Sequence, residues 1–249
     1  MKLINKNYLP VKPLLILISS ALFFILPAAT PFQGDKHVVQ INLNPILNAR
    51  SVTTLTEGKI ITWTKGIDGD GTGDGYLTLA ASLFKADKSP KALPDNPLFP
   101  ATDQHPEVML HYSNKDSVSN QTVAMAGAQK VGFELPLAKY SQMFLALTSS
   151  EGNSKITVEL KYADGSESKS FDVPDYYADI QPNDQNFCYL AHDLAKWGKM
   201  NNMTESNHHN IDLLNIHPDP KRILKHIQLE KSKAGYLVLW SATGIVVHN

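Results

Sequence analysis

The chain has little of what would staple a fold covalently or advertise a reaction. A single cysteine, Cys188, in 249 residues excludes an internal disulfide, and no zinc-finger spacing of Cys and His can be built around it. An excess of one charge is missing too: 23 Lys and Arg meet 24 Asp and Glu, and charged residues are 19% of the chain. Without a basic stripe there is no field to neutralise phosphates, so no nucleic-acid partner is expected. The hydrophobic content of 43% excludes both a disordered chain and a polytopic membrane protein. There is no Gly-x-Ser-x-Gly elbow and no His-Glu-x-x-His pair, and Ser166, which follows a glycine, belongs to a turn. Helical periodicity is weak everywhere. Its best case is Phe187 to Trp197, where Leu190, Leu194 and Trp197 share a helical face, so at most short helices are expected.

What is present begins at the N-terminus. Lys2, Lys6 and Lys12 precede an apolar run from Leu14 to Leu26, broken only by Ser19 and Ser20, and small residues Ala28, Ala29 and Thr30 follow. This is the pattern of a secretory signal peptide over residues 1–30, and it implies a secreted or periplasmic protein. Cleavage near Thr30 removes three lysines and no acid, leaving a mildly acidic chain. If Pro27 to Phe32 extend the apolar core, the segment is instead an uncleaved anchor and the chain's one contact with a membrane.

Residues 31–249 show no Pro/Ser-rich linker and no long charge run, and read as one all-β domain. Lys155 to Tyr162 alternates, with Ile156, Val158, Leu160 and Tyr162 on one face and Lys155, Thr157, Glu159 and Lys161 on the other. Asp164-Gly165 then supplies the positive φ of a tight turn, and Ser168 to Val173 returns, so a β-hairpin is predicted. Further strands are predicted at Val38 to Leu43, Lys59 to Trp63, Gln129 to Leu135, Met143 to Thr148, Ile223 to Leu229 and Tyr236 to Trp240. Strands at this spacing suggest a β-sandwich or jelly roll. Asp87 to Gln104 and Lys199 to Asn210 read as long surface loops, where binding function usually sits.

Several of these pieces also stand in a familiar order. Leu135-Pro136, Lys139-Tyr140, Met143-Phe144-Leu145, Gly152, Thr157-Val158, Tyr162 to Ser166 and Val173-Pro174-Asp175-Tyr176 are flanked by Ile67-Asp68-Gly69 with Gly73 and Tyr76, and by His217 to Leu224 with Leu237 to Trp240. The series, running over most of residues 37–247, resembles the galactose-binding-like β-sandwich domains of secreted bacterial carbohydrate-active proteins. It departs from them at Tyr176, where the family usually has Trp, and after Tyr76, where Pro-Ala-Glu is missing. The resemblance implies a jelly-roll β-sandwich and a carbohydrate-related role.

Two stretches carry candidate chemistry. Asp68, Asp70, Thr72 and Asp74 alternate with glycines, and three carboxylates on a flexible loop suit a hard cation such as calcium. An EF-hand is excluded, because the twelfth position from Asp68 is Leu79 and not Glu. The alternative is a solvated Gly-rich turn. For a glycan, aromatic faces and planar polar groups are supplied by Tyr176, Tyr177 and Trp197 with Asn201, Asn202, Asn207, His208, His209 and Asn210. Against this stands the reading of Trp197 as a core residue and of the Asn/His run as only a polar loop, and of the neighbours Tyr176 and Tyr177 one should point inward and one outward. Tyr236, Val238 and Trp240 alternate as a core face. Cys188 and His192, four apart, could pair a thiolate with an imidazole, and His208 and His209 with Asp212 and His217 could bind a transition metal; against these, a buried structural cysteine is the commoner case and adjacent histidines on a strand face opposite sides. The expected function is therefore a non-catalytic, glycan- or polysaccharide-binding protein with a structural calcium; the alternatives are a glycan-active hydrolase or a protein-binding scaffold.

Overall fold

In the computed structural model, which describes residues 36–85 and 91–247, the alternating stretches become strands and pair as their patterns require. The targeting segment expected at 1–30 lies outside the described residues. The strands are β1 (Lys36–Gln40), β2 (Val52–Thr56), β3 (Lys59–Ile61), β4 (Tyr76–Leu77), β5 (Leu98–Phe99), β6 (Val108–Met109), β7 (Val123–Ala126) and β8 (Gln129–Ala138). They continue with β9 (Tyr140–Ser150), β10 (Ser154–Tyr162), β11 (Gly165–Val173), β12 (Phe187–Trp197), β13 (Met203–Ile216), β14 (Leu224–Lys231) and β15 (Tyr236–Val247). Among the described residues the one α-helix is α1 (Leu79–Phe84), capped by the Thr78 hydroxyl accepting from the Ala81 amide.

Two antiparallel sheets face each other, so the fold is an all-β sandwich. One sheet has the order β1-β15-β9-β13-β12; along the outer edge of β15, β1 pairs with Thr243 to Val247 and β7 with Leu239 to Tyr236. The other runs β11-β10-β14-β8. The inward row Ile156, Val158, Leu160 and Tyr162 is buried, as its alternation requires, against Met143, Leu145, Leu147, Leu214, Ile216, Leu237 and Leu239. Each such aliphatic side chain contributes about 1.5–3 kcal/mol by leaving water.

The six-stranded sheet is buried on its second face as well. Phe144, Ala146, Ile211, Leu213, Tyr236, Val238 and Trp240 pack against Ala49, Val52, Ile67, Tyr76, Val108, Leu110 and Tyr112, which come from the segment before β7. That third layer explains why Tyr236 to Ala242 is buried at every position, both rows of β15 being core.

Two local expectations are overturned. Phe187–Trp197 is strand β12 and not a helix: it is hydrogen-bonded to β13, and residues four apart share a face in a strand as well. Its register slips repeatedly between Tyr189 and Trp197, and Asp193 sits at φ 59, so the pattern never reads as clean alternation. Lys199 to Asn210 is not a long loop either. Only the turn around Gly198 to Asn202 is irregular, and from Met203 the chain is β13, whose exposed row Thr204, Ser206 and His208 is polar.

Candidate functional site

The polar end of the β12–β13 hairpin meets two other segments, the Gly-rich turn at Asp68 to Asp74 and the chain leaving β11. The turn closes on itself, since Asp68 Oδ1 accepts from the Asp74 amide at 2.6 Å. Gly73 is required for this closure: a Cβ there would stand 1.9 Å from Asp68 Oδ1. After β11 the backbone is pinned by Tyr176 N donating to Ser149 O at 2.7 Å and Asn210 N donating to Tyr176 O at 3.1 Å.

At the meeting point lies Lys196, with only 7% of its side chain exposed. Its Nζ lies 2.8 Å from Asp68 Oδ2 and 2.6 Å from Glu205 Oε1, and Tyr176 Oη donates to the same Asp68 oxygen at 3.2 Å. Burial alone would lower the Lys196 pKa, but the hydrogen bonds to Asp68 and Glu205 raise it well above the ordinary lysine value. Burial likewise pushes Glu205 up, and the hydrogen bonds from Lys196 and Tyr177 with the lysine charge overcome it, bringing the carboxyl down to about 2. His209 is fully buried; its Nδ1 donates to Leu194 O at 2.7 Å and its Nε2 lies 3.2 Å from Glu205 Oε2, and burial lowers its pKa against the opposing pull of Leu194 O and Glu205.

Over this network lie two tyrosines. Tyr176 points inward at 4% exposure and Tyr177 outward at 49%. The Tyr177 ring rests 4.5 Å from the Tyr176 ring and 4.9 Å from that of His209, centroid to centroid, and its hydroxyl donates to Glu205 Oε2. The result is an aromatic plane open to solvent on one side and fixed from behind and at its tip, with a carboxylate acceptor beside it.

Of the residues singled out from the sequence, Tyr176, Tyr177, His209 and Asp68 come together here. Trp197 does not: it is 0% exposed, packed with Trp63, Leu77 and Ala81, and presents no face on which a sugar could stack. Its indole Nε1 donates to Asn201 Oδ1 at 3.4 Å. Asn207 is half-buried and His208 exposed, at φ 77, on the outer reach of β13. Lys196 and Glu205, which organise the cluster, carried no signal in the sequence; only the crossing of three distant segments selects them.

Most of the side chains of the Gly-rich turn that could ligate calcium are engaged within the protein. Asp68 is committed to Lys196 and Tyr176, Asp74 accepts from Thr204 Oγ1 at 2.5 Å, Thr72 Oγ1 donates to Gly69 O at 2.6 Å, and Asp70 faces solvent. Among the described residues no three His, Cys, Asp or Glu side chains are grouped to hold a metal. Cys188 is buried, which pushes its thiol up to about 11, and His192 Nδ1 lies 3.5 Å from Asp193 Oδ2.

No family model and no curated protein matches the chain. Among solved structures, the carbohydrate-binding module TmCBM61 in complex with beta-1,4-galactotriose is similar at 12% identity over 53% of this chain and 73% of its own, with a TM-score of 0.24.

Proposed function

We propose that this chain is an exported, non-catalytic glycan-binding β-sandwich protein whose contact face is the Tyr177 edge of the six-stranded sheet. One observation carries the reading: Tyr177 is half-exposed yet immobilised by Tyr176, His209 and Glu205. A sugar ring stacks its C–H face on such a plane, and because the plane is already ordered, little rotamer entropy is lost on binding. Glu205, held ionised, accepts from a sugar hydroxyl alongside. Export is supported by the signal-peptide pattern of residues 1–30.

A hydrolase reading meets a chemical obstacle at the same place. Asp68 and Glu205 are both bonded to one lysine, at 2.8 and 2.6 Å, and Glu205 at about 2 has no proton to give near neutrality.

The test is retention of the protein on a panel of immobilised polysaccharides, with Tyr177→Ala beside it. The expected outcome is saturable retention by at least one polysaccharide, weakened about tenfold or more in the variant, a change of ~1.4 kcal/mol, with the melting temperature preserved. Retention by none, or retention that ignores the substitution, would remove the proposal.

A further inference from the structure

A second concavity lies away from the Tyr177 edge and shares no residue with it. Between β8 and the 3₁₀ turn Asn44–Ile46 is a cavity of about 440 Å³. Pro45, Ile46, Phe133, Leu135 and Pro136 supply its apolar walls. This size and lining are those of small-ligand sites, which need in addition a few convergent polar groups.

Those groups are present. His226 of β14 stands opposite Glu134 of β8 in the ladder, and its Nδ1 lies 3.0 Å from Glu134 Oε1. A carboxylate only accepts, so Nδ1 carries a hydrogen, and in the neutral form of an imidazole so held the lone pair is on Nε2. Nε2 leans over Gly132, where a Cβ would fall 2.6 Å from it; the missing side chain at Gly132 is what leaves room for the imidazole at the cavity. Asn42 adds an amide at the rim, its Oδ1 already accepting from Asn44 N at 3.0 Å, so its NH₂ remains to donate. β8 is also an edge strand, paired with β14 alone among the described residues, so backbone groups on its outer side line the same space.

We propose that this cavity is a binding site for a small uncharged ring bearing a hydroxyl, with the ring against Pro45, Ile46 and Pro136 and the hydroxyl donating to His226 Nε2. Glu134 is the positioning residue: it fixes the tautomer that makes Nε2 an acceptor. Charged ligands are disfavoured because the walls are apolar and the dyad offers no net cation to an anion.

Phenol is the probe, with anisole as its match lacking the hydroxyl hydrogen, titrated into the isotope-labelled full-length protein and followed by two-dimensional NMR. The expected result is saturable shifts at His226, Ile46 and Gly132, with phenol at least tenfold tighter than anisole. Gly132→Ala, whose Cβ displaces the imidazole, is expected to abolish the preference while the rest of the spectrum is kept. Ile46→Trp, which fills the cavity and leaves the dyad intact, is expected to abolish binding of both. No saturable shift at these residues, equal affinity for the two probes, or binding indifferent to both substitutions would each overturn the proposal. Shifts confined to the backbone of β8, equal for both probes, would mark its edge as a strand-docking surface instead and count against the small-ligand site.

Discussion

Lys196 shows how much one side chain can hold together. It comes from β12, Asp68 from the Gly-rich turn and Glu205 from β13, and the ammonium is the charge both carboxylates share. Replacing it by Met leaves Asp68, 8% exposed, without its cation, and is expected to cost about 3–5 kcal/mol in urea unfolding. Adding Asp68→Asn to that variant is expected to restore much of the loss, because the buried charge is removed along with its partner. Asp212 is the opposite case, a fully buried carboxylate with neither oxygen hydrogen-bonded. Burial raises it from 3.8 to about 8. Between those values the folded chain holds a proton that the unfolded chain has released, so stability falls as pH rises through that window and levels off above it. Asp212→Asn is expected to remove this slope and to stabilise the protein near pH 8 by on the order of a few kcal/mol, with little change near pH 3. Unfolding free energies measured across the window check both the sign and the amplitude.

The hairpin of β10 and β11 is the element most fully written in its residues. Alternation fixes which face is core, and Asp164-Gly165 fixes the turn, where Gly165 adopts φ 144. Asp164 is tied to Arg222 at 2.8 Å, and the Arg222 guanidinium lies 3.9 Å from the centre of the Tyr162 ring, so the turn is clamped to the strand it closes. Gly165→Ala is expected to cost about 1–3 kcal/mol, since an L side chain is strained at that φ; calorimetry showing no loss would mean that the turn relaxes. β12 is the counterexample. Its slipping register and the left-handed Asp193 scatter Leu190, Leu194 and Trp197 so that a helical period fits them as well as a strand period does. The signal for its true state is its partner β13, which is polar through His208 and therefore reads as loop until the two are seen paired.

At the scale of the whole molecule, the central sheet is covered on both faces, by the four-stranded sheet on one and by the segment running from Ala49 to Tyr112 on the other. A chain lacking residues 36–121 would expose Phe144, Leu213, Tyr236, Val238 and Trp240 together, a patch far larger than soluble monomers tolerate. It is expected to aggregate in size-exclusion chromatography and to bind a hydrophobic dye; a monomeric, dye-negative product would show that the third layer is dispensable. The same layer delivers Asp68 to Lys196, so the Tyr177 plane and the covering segment stand or fall together.

By itself the sequence determined the all-β class, the hairpin and its facing, most strands of the sandwich, and the division of Tyr176 and Tyr177 between inside and outside, because alternation and turn chemistry are local properties of neighbouring residues. It also brought Tyr176, Tyr177 and His209 into view as part of one candidate set and Asp68 as part of another. Only the tertiary structure decided that these four meet, that Trp197 is sealed in the core, that the turn carboxylates are committed to Lys196, Tyr176 and Thr204, and that His226 and Glu134 face each other across a ladder beside a cavity. The physical reason is common to all of them. Each depends on segments far apart in the chain approaching to within about 3 Å, and the hydrogen bonds and ion pairs formed at that distance leave no periodic trace in the residues between.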